Sequence, residues 1–482
     1  MRYYLCLLIS SCILFGCHGK SSSTNGDTKA ANSSRHNLSS LKPLKTGVVI
    51  DSVICIEDSS QIYSIYLPSK YDTTKNWPII YFFDPHGCGN LPVKLYKDLA
   101  EKYGFIIAGT YNSKNGMQFD AASQAAQVFM KDTWMRLSED NNRLYTSGFS
   151  GGASVASLVA ITNGGIAGVV ACGGGLPDNA PQPKNPFSFI SFVGDKDFHL
   201  MPLHQMDKML DSTSMSHQLI VFNGKHQWPP ALVYEQAFQW LDMDAMRMKT
   251  LAKNDSIIKS IREKFLNEAE EWHKKRNIAQ EYFTYKKMLN YLRDLDDMGK
   301  IAAKVQDFEN SEVLEKYLKD EETFEAEEAQ EILEFRVQMP KMDKAWWDTK
   351  IATMQKMLKR DTSSPAALQT QRILGYLSLS IYMTASRALN QRNYSAATYF
   401  NDLYAKVDPT NPEHCYISAN MAMTSNNSTK ALTDLKEAVK LGFVDSKRLE
   451  QDSYFTSLHN SSEYKQLLKE MAAKPDKIDL TQ

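Results

Sequence analysis

The sequence predicts an α/β domain with a mostly parallel sheet, followed by an all-α region, and three observations predict it. Between residues 47 and 246, short apolar runs alternate with helix-forming stretches, as expected when parallel strands are joined by crossover helices. After Lys249 the strand signal stops, and apolar residues recur at steps of three or four. Near the C-terminus a pattern returns at a fixed spacing of 34 residues.

The chain opens with Met1-Arg2 and an apolar run over 3–15, too short to span a bilayer but of secretory-signal length. The run ends in Leu14-Phe15-Gly16-Cys17, which resembles a bacterial lipobox, although Phe15 is bulkier than usual there. That resemblance implies a signal over 1–17 cut before Cys17, acylation of Cys17, and a lipid-anchored protein of the bacterial cell envelope, periplasmic or outer-membrane associated. Residues 18–44 are crowded with Ser, Asn, Lys and Gly and read as a flexible linker.

A catalytic domain is expected over 45–248. Its strands begin with an antiparallel entry at 48–54 and 61–67, the second alternating Tyr63, Ile65 and Leu67. Buried runs follow at 77–83, 105–109, 144–149, 168–172, 187–193 and 218–222, making about eight strands. Helical stretches fall between them at 93–103, 121–137, 151–160 and 203–210, and 231–246 closes the domain.

The densest chemistry lies at Gly148-Phe149-Ser150-Gly151-Gly152, where a strand passes through a sharp turn into a helix. Such a turn strains the central residue and presses helix onto strand, so small residues are needed on both sides. Asp197 and His226 follow in the chain, which gives the order Ser, acid, His. Ser150 is the candidate nucleophile, His226 the base that takes its proton, and Asp197 the group that orients the imidazole. His226 follows directly on the 218–222 strand, where a loop can carry it over the sheet edge; His199 and His204 are rivals within the acid's own segment. The backbone N–H of Gly151, next to the nucleophile, is a candidate oxyanion donor.

His86-Gly87-Cys88, the Ser150 motif and Gly194-Asp195-Lys196-Asp197 together resemble the α/β-hydrolase superfamily, compact esterase type, similar to the polyhydroxybutyrate depolymerase and feruloyl-esterase group. The resemblance spans about 47–246. It implies a serine hydrolase cleaving carboxylic esters, small-molecule or carbohydrate, with no cofactor. It also selects Asp197 over Asp195 as the acid and Gly87 or Cys88 as the second oxyanion donor. Asn112, in the polar stretch 111–116, and Trp228, beside His226, are candidate substrate-binding residues; a solvated turn and a packing role are the alternatives. Asp84 and His86 can brace their loop, and no spacing supports a metal site built from Asp84, His86 and His199.

In the helical half, Ile258, Ile261, Phe265, Ala269 and Trp272 form one apolar stripe within a helical region over 249–364. The carboxylate-rich stretch 319–334, with Glu321, Glu322, Glu325, Glu327 and Glu328, reads as a solvated helix face. Tyr382, Ala385, Ala388, Asn393 and Ala397 recur as Tyr416, Ala419, Ala422, Asn427 and Ala431, the tetratricopeptide period, so tetratricopeptide-like repeats are expected over 365–482. They would serve as a groove for a protein partner or as a structural appendage.

With 55 Lys and Arg against 56 Asp and Glu, the net charge of −1 gives no global field for nucleic acid. Cys55, Cys88, Cys172 and Cys415 would remain after maturation, mostly as free thiols. Only 47 residues separate Ser150 from Asp197 and 29 separate Asp197 from His226, which leaves little room for a lid and favours an accessible site. Two other readings stay open: a prolyl-oligopeptidase-like peptidase with the same triad order, and a tetratricopeptide scaffold on a degenerate hydrolase domain.

Overall fold

The apolar runs become strands β1 (Val49–Ile54), β2 (Ile62–Tyr66), β3 (Trp77–Phe83), β4 (Ile106–Thr110), β5 (Glu139–Phe149), β6 (Ile166–Cys172), β7 (Ser188–Gly194) and β8 (His217–Phe222). This computed structural model describes residues 43–177, 183 and 185–473; the expected signal over 1–17, the acylation site Cys17 and the linker to residue 42 lie outside them. The strands form one sheet in the order β1-β2-β4-β3-β5-β6-β7-β8. β2 runs antiparallel to β1 and β4, and every other pairing is parallel. This is the α/β-hydrolase sheet that the sequence motifs implied. β5 starts at Glu139, earlier than the apolar run, because Trp77 pairs with the buried Glu139 despite its polarity.

Helices α1 (Asn90–Tyr103), α2 (Phe119–Arg136), α3 (Gly151–Asn163), α4 (Leu200–Leu210) and α5 (Ala231–Arg247) cover the sheet. Side chains of a strand alternate between faces, so Ile80 and Phe82 join a core with Tyr96 of α1 and Phe238 of α5. Ile79, Tyr81 and Phe83 join the opposite core with Phe129 of α2 and Val159 of α3.

The rest is helical: α6 (Asp255–Lys274), α7 (Ile278–Leu292), α8 (Gly299–Glu309), α9 (Glu312–Gln338), α10 (Lys344–Leu358), α11 (Pro365–Asn390), α12 (Tyr394–Val407), α13 (Glu413–Thr424), α14 (Ser428–Leu441), α15 (Ser446–Gln451) and α16 (Ser462–Ala473). The 34-residue pattern has a local cause in the structure. Asn393 caps α12 by accepting from Ala396 N, Asn427 caps α14 by accepting from Lys430 N, and each follows a left-handed residue, Arg392 or Asn426. Ala385, Ala397, Ala419 and Ala431 are fully buried, which lets the paired helices approach closely. The same turn, Arg276 then Asn277 capping α7, joins α6 to α7 outside the repeated segment.

The packing of this half departs from its sequence pattern in two places. Residue 248 is no boundary in the packing: Tyr291 of α7 sets its ring 5.1 Å from Trp240 and 5.2 Å from Phe265, inside the same core as α5. Burying each such ring contributes about 1.5–3 kcal/mol, so α6 and α7 share one core with α5. The acidic stretch is not wholly solvated either. Glu328 is fully buried against Arg372, and Glu325 of α9 pairs with His204 and Lys208 of α4. Among the described residues no helix is long and apolar enough to cross a membrane.

Candidate active site

Ser150 sits between the end of β5 and the start of α3 at φ 52° and ψ −121°, a backbone conformation that costs a non-glycine residue about 1–3 kcal/mol. Its surroundings hold it there, with Ser150 N donating to Cys172 O at 2.8 Å and Ala153 N to Ser150 O at 3.0 Å. The flanking glycines are required by contact. A Cβ at Gly148 would lie 2.1 Å from the Gly152 carbonyl oxygen, and one at Gly152 would lie 2.0 Å from that of Phe83.

The end of β7 delivers Asp197 and the end of β8 delivers His226. His226 Nε2 is 2.9 Å from Ser150 Oγ, and His226 Nδ1 is 3.0 and 2.9 Å from the two oxygens of Asp197. An ionised carboxylate only accepts, so Nδ1 carries the proton and Nε2 faces the hydroxyl as an acceptor. Burial alone would raise the Asp197 carboxyl, but the His226 and His199 imidazoles and their hydrogen bonds hold it well below the usual carboxylate range. Asp195 is placed elsewhere: its Oδ1 accepts from Gly224 N at 3.0 Å and ties the acid loop to the His226 loop.

The remaining histidines are sorted by the same geometry. His199 N donates to Asp197 Oδ1 at 2.9 Å, and its ring stacks on His226 with centroids 5.0 Å apart. Ligand atoms of Asp197, His199 and His226 converge within 4.8 Å, the donor set a metal would find among the described residues, and these atoms are the ones that link the acid to the base. His204 is turned to Glu325, 3.0 Å away.

Of the expected oxyanion donors, the Gly151 N–H has no acceptor among the described residues, as befits the first turn of α3. Gly87 N instead donates to Asp84 O at 3.1 Å, and Cys88 N to Asp84 Oδ1 at 3.2 Å. Asp84 is the brace of this loop, since His86 N also reaches its Oδ1 and Trp228 Nε1 donates to its Oδ2 at 3.0 Å. Burial pushes the Cys88 thiol up to about 12, with the Asp84 and Asp445 carboxylates adding to it.

The two candidate substrate-binding residues both spend their polar atoms on the scaffold. Trp228 is 1% exposed and spends its indole N–H on Asp84, so it packs under the site. Asn112 uses both ends of its amide on the β1–β2 turn, accepting from Ile62 N and donating to Ser60 O. It borders a cavity of about 500 Å³ that Tyr111, Lys114 and Met117 also line, and no triad residue lines it. Sequence reasoning missed Asn115, three residues on: a Cβ on Gly151 would lie 1.9 Å from its Oδ1, so its side chain rests on the backbone beside the nucleophile. It also missed Phe198, whose ring packs 4.6 Å from that of His226. Nor is the site free of the helical half, for Arg372 of α11 reaches the backbone carbonyl of Asp195 in the acid loop.

No protein-family model matches the sequence, and no curated protein matches it. Similar solved structures include S-formylglutathione hydrolase FrmB from Staphylococcus aureus, at 11% identity and TM-score 0.34, over 40% of this chain and 97% of that one. An esterase from Pyrobaculum calidifontis has 13% identity and TM-score 0.33, over 42% of this chain and 85% of that one. The feruloyl esterase module from Clostridium thermocellum has 17% identity and TM-score 0.32, over 40% of this chain and 87% of that one.

Proposed function

We propose that this protein is a serine hydrolase that cleaves carboxylic esters through an acyl-enzyme on Ser150. The observation that carries the reading is the unbroken line from Ser150 Oγ through His226 to the buried Asp197, at 2.9 Å and then 2.9–3.0 Å. Ser150 Oγ attacks the carbonyl carbon while His226 Nε2 takes its proton, a step worth about 10²–10⁴-fold. Asp197 keeps Nδ1 protonated and stabilises the imidazolium. The tetrahedral oxygen is received by the Gly151 N–H and by the Cys88 N–H, which swings from its 3.2 Å bond to Asp84; Gly87 N, which closes the turn, plays no part. Collapse breaks the ester C–O bond, the alcohol leaves with the proton from Nε2, and water deprotonated by His226 then releases the acid.

A small exported ester or an acylated carbohydrate is the proposed substrate, met at the bacterial envelope where Cys17 would tether the chain. The helical repeats would offer a docking face there. Labelling of the purified protein with a fluorophosphonate, followed by peptide mapping, tests the chemistry. Modification confined to Ser150 and lost in Ser150→Ala supports it, and a well-folded protein that takes no label refutes it.

A further inference from the structure

The buried ion pair between α9 and α11 touches the catalytic loops directly. Glu328 of α9 is fully buried and Arg372 of α11 is 8% exposed. Arg372 Nε donates to both Glu328 oxygens at 3.1 and 3.0 Å, and Nη2 donates to Oε2 at 2.6 Å. This leaves Nη1, which donates to the backbone carbonyl of Asp195 at 3.0 Å.

Asp195 is the knot of the site. Its N–H bonds to Phe222 O at the end of β8, its carboxylate holds Gly224 N, and Lys196 N donates to Gly224 O at 2.9 Å. The loop that carries the acid and the loop that carries the base are therefore tied together at the residue Arg372 grips. One turn along α11, Gly375 faces Phe198: a Cβ there would lie 3.6 Å from its ring. Phe198 in turn packs on His226. Glu325, one turn before Glu328, holds His204 in the middle of α4, the helix that follows the acid loop.

We propose that the Glu328–Arg372 pair is a positioning device for the triad, through which the docked helical half fixes Asp197 and His226 relative to Ser150. A buried ion pair is poor evidence of stabilisation, because desolvating two charges offsets most of their attraction. What this pair provides is direction: Glu328 fixes the guanidinium plane, and the guanidinium fixes a carbonyl two residues from the acid. Neither residue touches substrate. The inference rests on the ester-hydrolase reading.

The test compares wild type, Arg372→Lys and the charge-free double variant Glu328→Met with Arg372→Met. The readouts are kcat and KM for a p-nitrophenyl ester, the rate of fluorophosphonate labelling, and thermal melting. Displacements of about 1 Å in a catalytic constellation cost up to about 10²-fold. The double variant, which leaves no unpaired charge, is expected to melt close to wild type while kcat and labelling rate fall about 10- to 100-fold and KM stays within about twofold. Arg372→Lys, which keeps the charge on Glu328 but loses the planar fork, is expected to fold and to fall between the two. A purely structural pair would move the melting temperature alone, so a folded variant of either kind with wild-type kcat overturns the proposal while leaving the serine-hydrolase reading intact. If the double variant does not fold, Arg372→Lys decides alone. A wild-type protein that takes no label at Ser150 overturns both.

Discussion

Asp195 and Asp197 lie two residues apart in one loop, and replacing each by Asn separates the acid from the scaffold. In Asp197→Asn the side chain keeps its size but presents a neutral amide to His226 Nδ1, where the carboxylate now accepts at 2.9 and 3.0 Å. Nδ1 then loses its anionic acceptor, the other tautomer turns its proton toward Ser150 Oγ, and the imidazolium loses its counter-charge. Such a change costs about 10⁴-fold in kcat, which is about 5.4 kcal/mol of transition-state stabilisation. In Asp195→Asn the amide oxygen still accepts from Gly224 N, now 3.0 Å from Oδ1, so only the charge assistance is lost. That difference is about 1 kcal/mol, and it falls on loop stability. Initial rates on a p-nitrophenyl ester, with melting curves for both variants, read the contrast directly. An Asp195→Asn variant that loses as much activity as Asp197→Asn, or an Asp197→Asn variant within about tenfold of wild type, refutes the assignment of Asp197 as the acid.

Glu139 carries a pH signature. Burial raises its carboxyl from 4.5 to about 7, against the opposing hydrogen bond from Tyr81. Between those values the folded chain binds more protons than the unfolded one, so this residue's contribution falls as pH rises, by about 3 kcal/mol in all. Glu139→Gln is expected to shrink the drop in melting temperature between pH 5 and pH 8.5, and an unchanged drop refutes the assignment. Gly151→Ala should lower kcat/KM at least about tenfold by driving the new methyl into Asn115 Oδ1, which it would meet at 1.9 Å. Adding Asn115→Ala should recover most of that loss; a double variant as slow as the single one would place the damage in the start of α3. Trp228→Phe removes the donor to Asp84 Oδ2 and leaves a buried acceptor unpaired, so stability should fall about 1–3 kcal/mol in urea unfolding. A variant as stable as wild type would mean that water reaches Asp84.

The sheet was legible because buried parallel strands are apolar runs bounded by turn residues; β3 begins and ends where Trp77 and Phe83 do. Ser150 was legible for a stronger reason. Backbone atoms near 2 Å forbid any Cβ at Gly148 and Gly152, so the turn writes itself into the sequence. Asp197 against Asp195 was not settled by the residues themselves, because both carboxylates occupy one loop and only its path decides which one meets His226. For Trp228 and Asn112, nearness along the chain does not give side-chain direction, and both spend their polar atoms on the scaffold. Glu328 was hidden among carboxylates that do face solvent, and its partner Arg372 is 44 residues away on another helix.

The reach of Arg372 across 177 residues to Asp195 also bears on when the protein can work. A chain emerging from the ribosome delivers Ser150, Asp197 and His226 long before α7 covers Trp240 and before α11 supplies the guanidinium. The nascent α/β domain thus has Ser150, Asp197 and His226 but neither a sealed core nor the Arg372 bond to Asp195. On the proposed reading, the constellation is complete only once α11 has been made and has reached the acid loop.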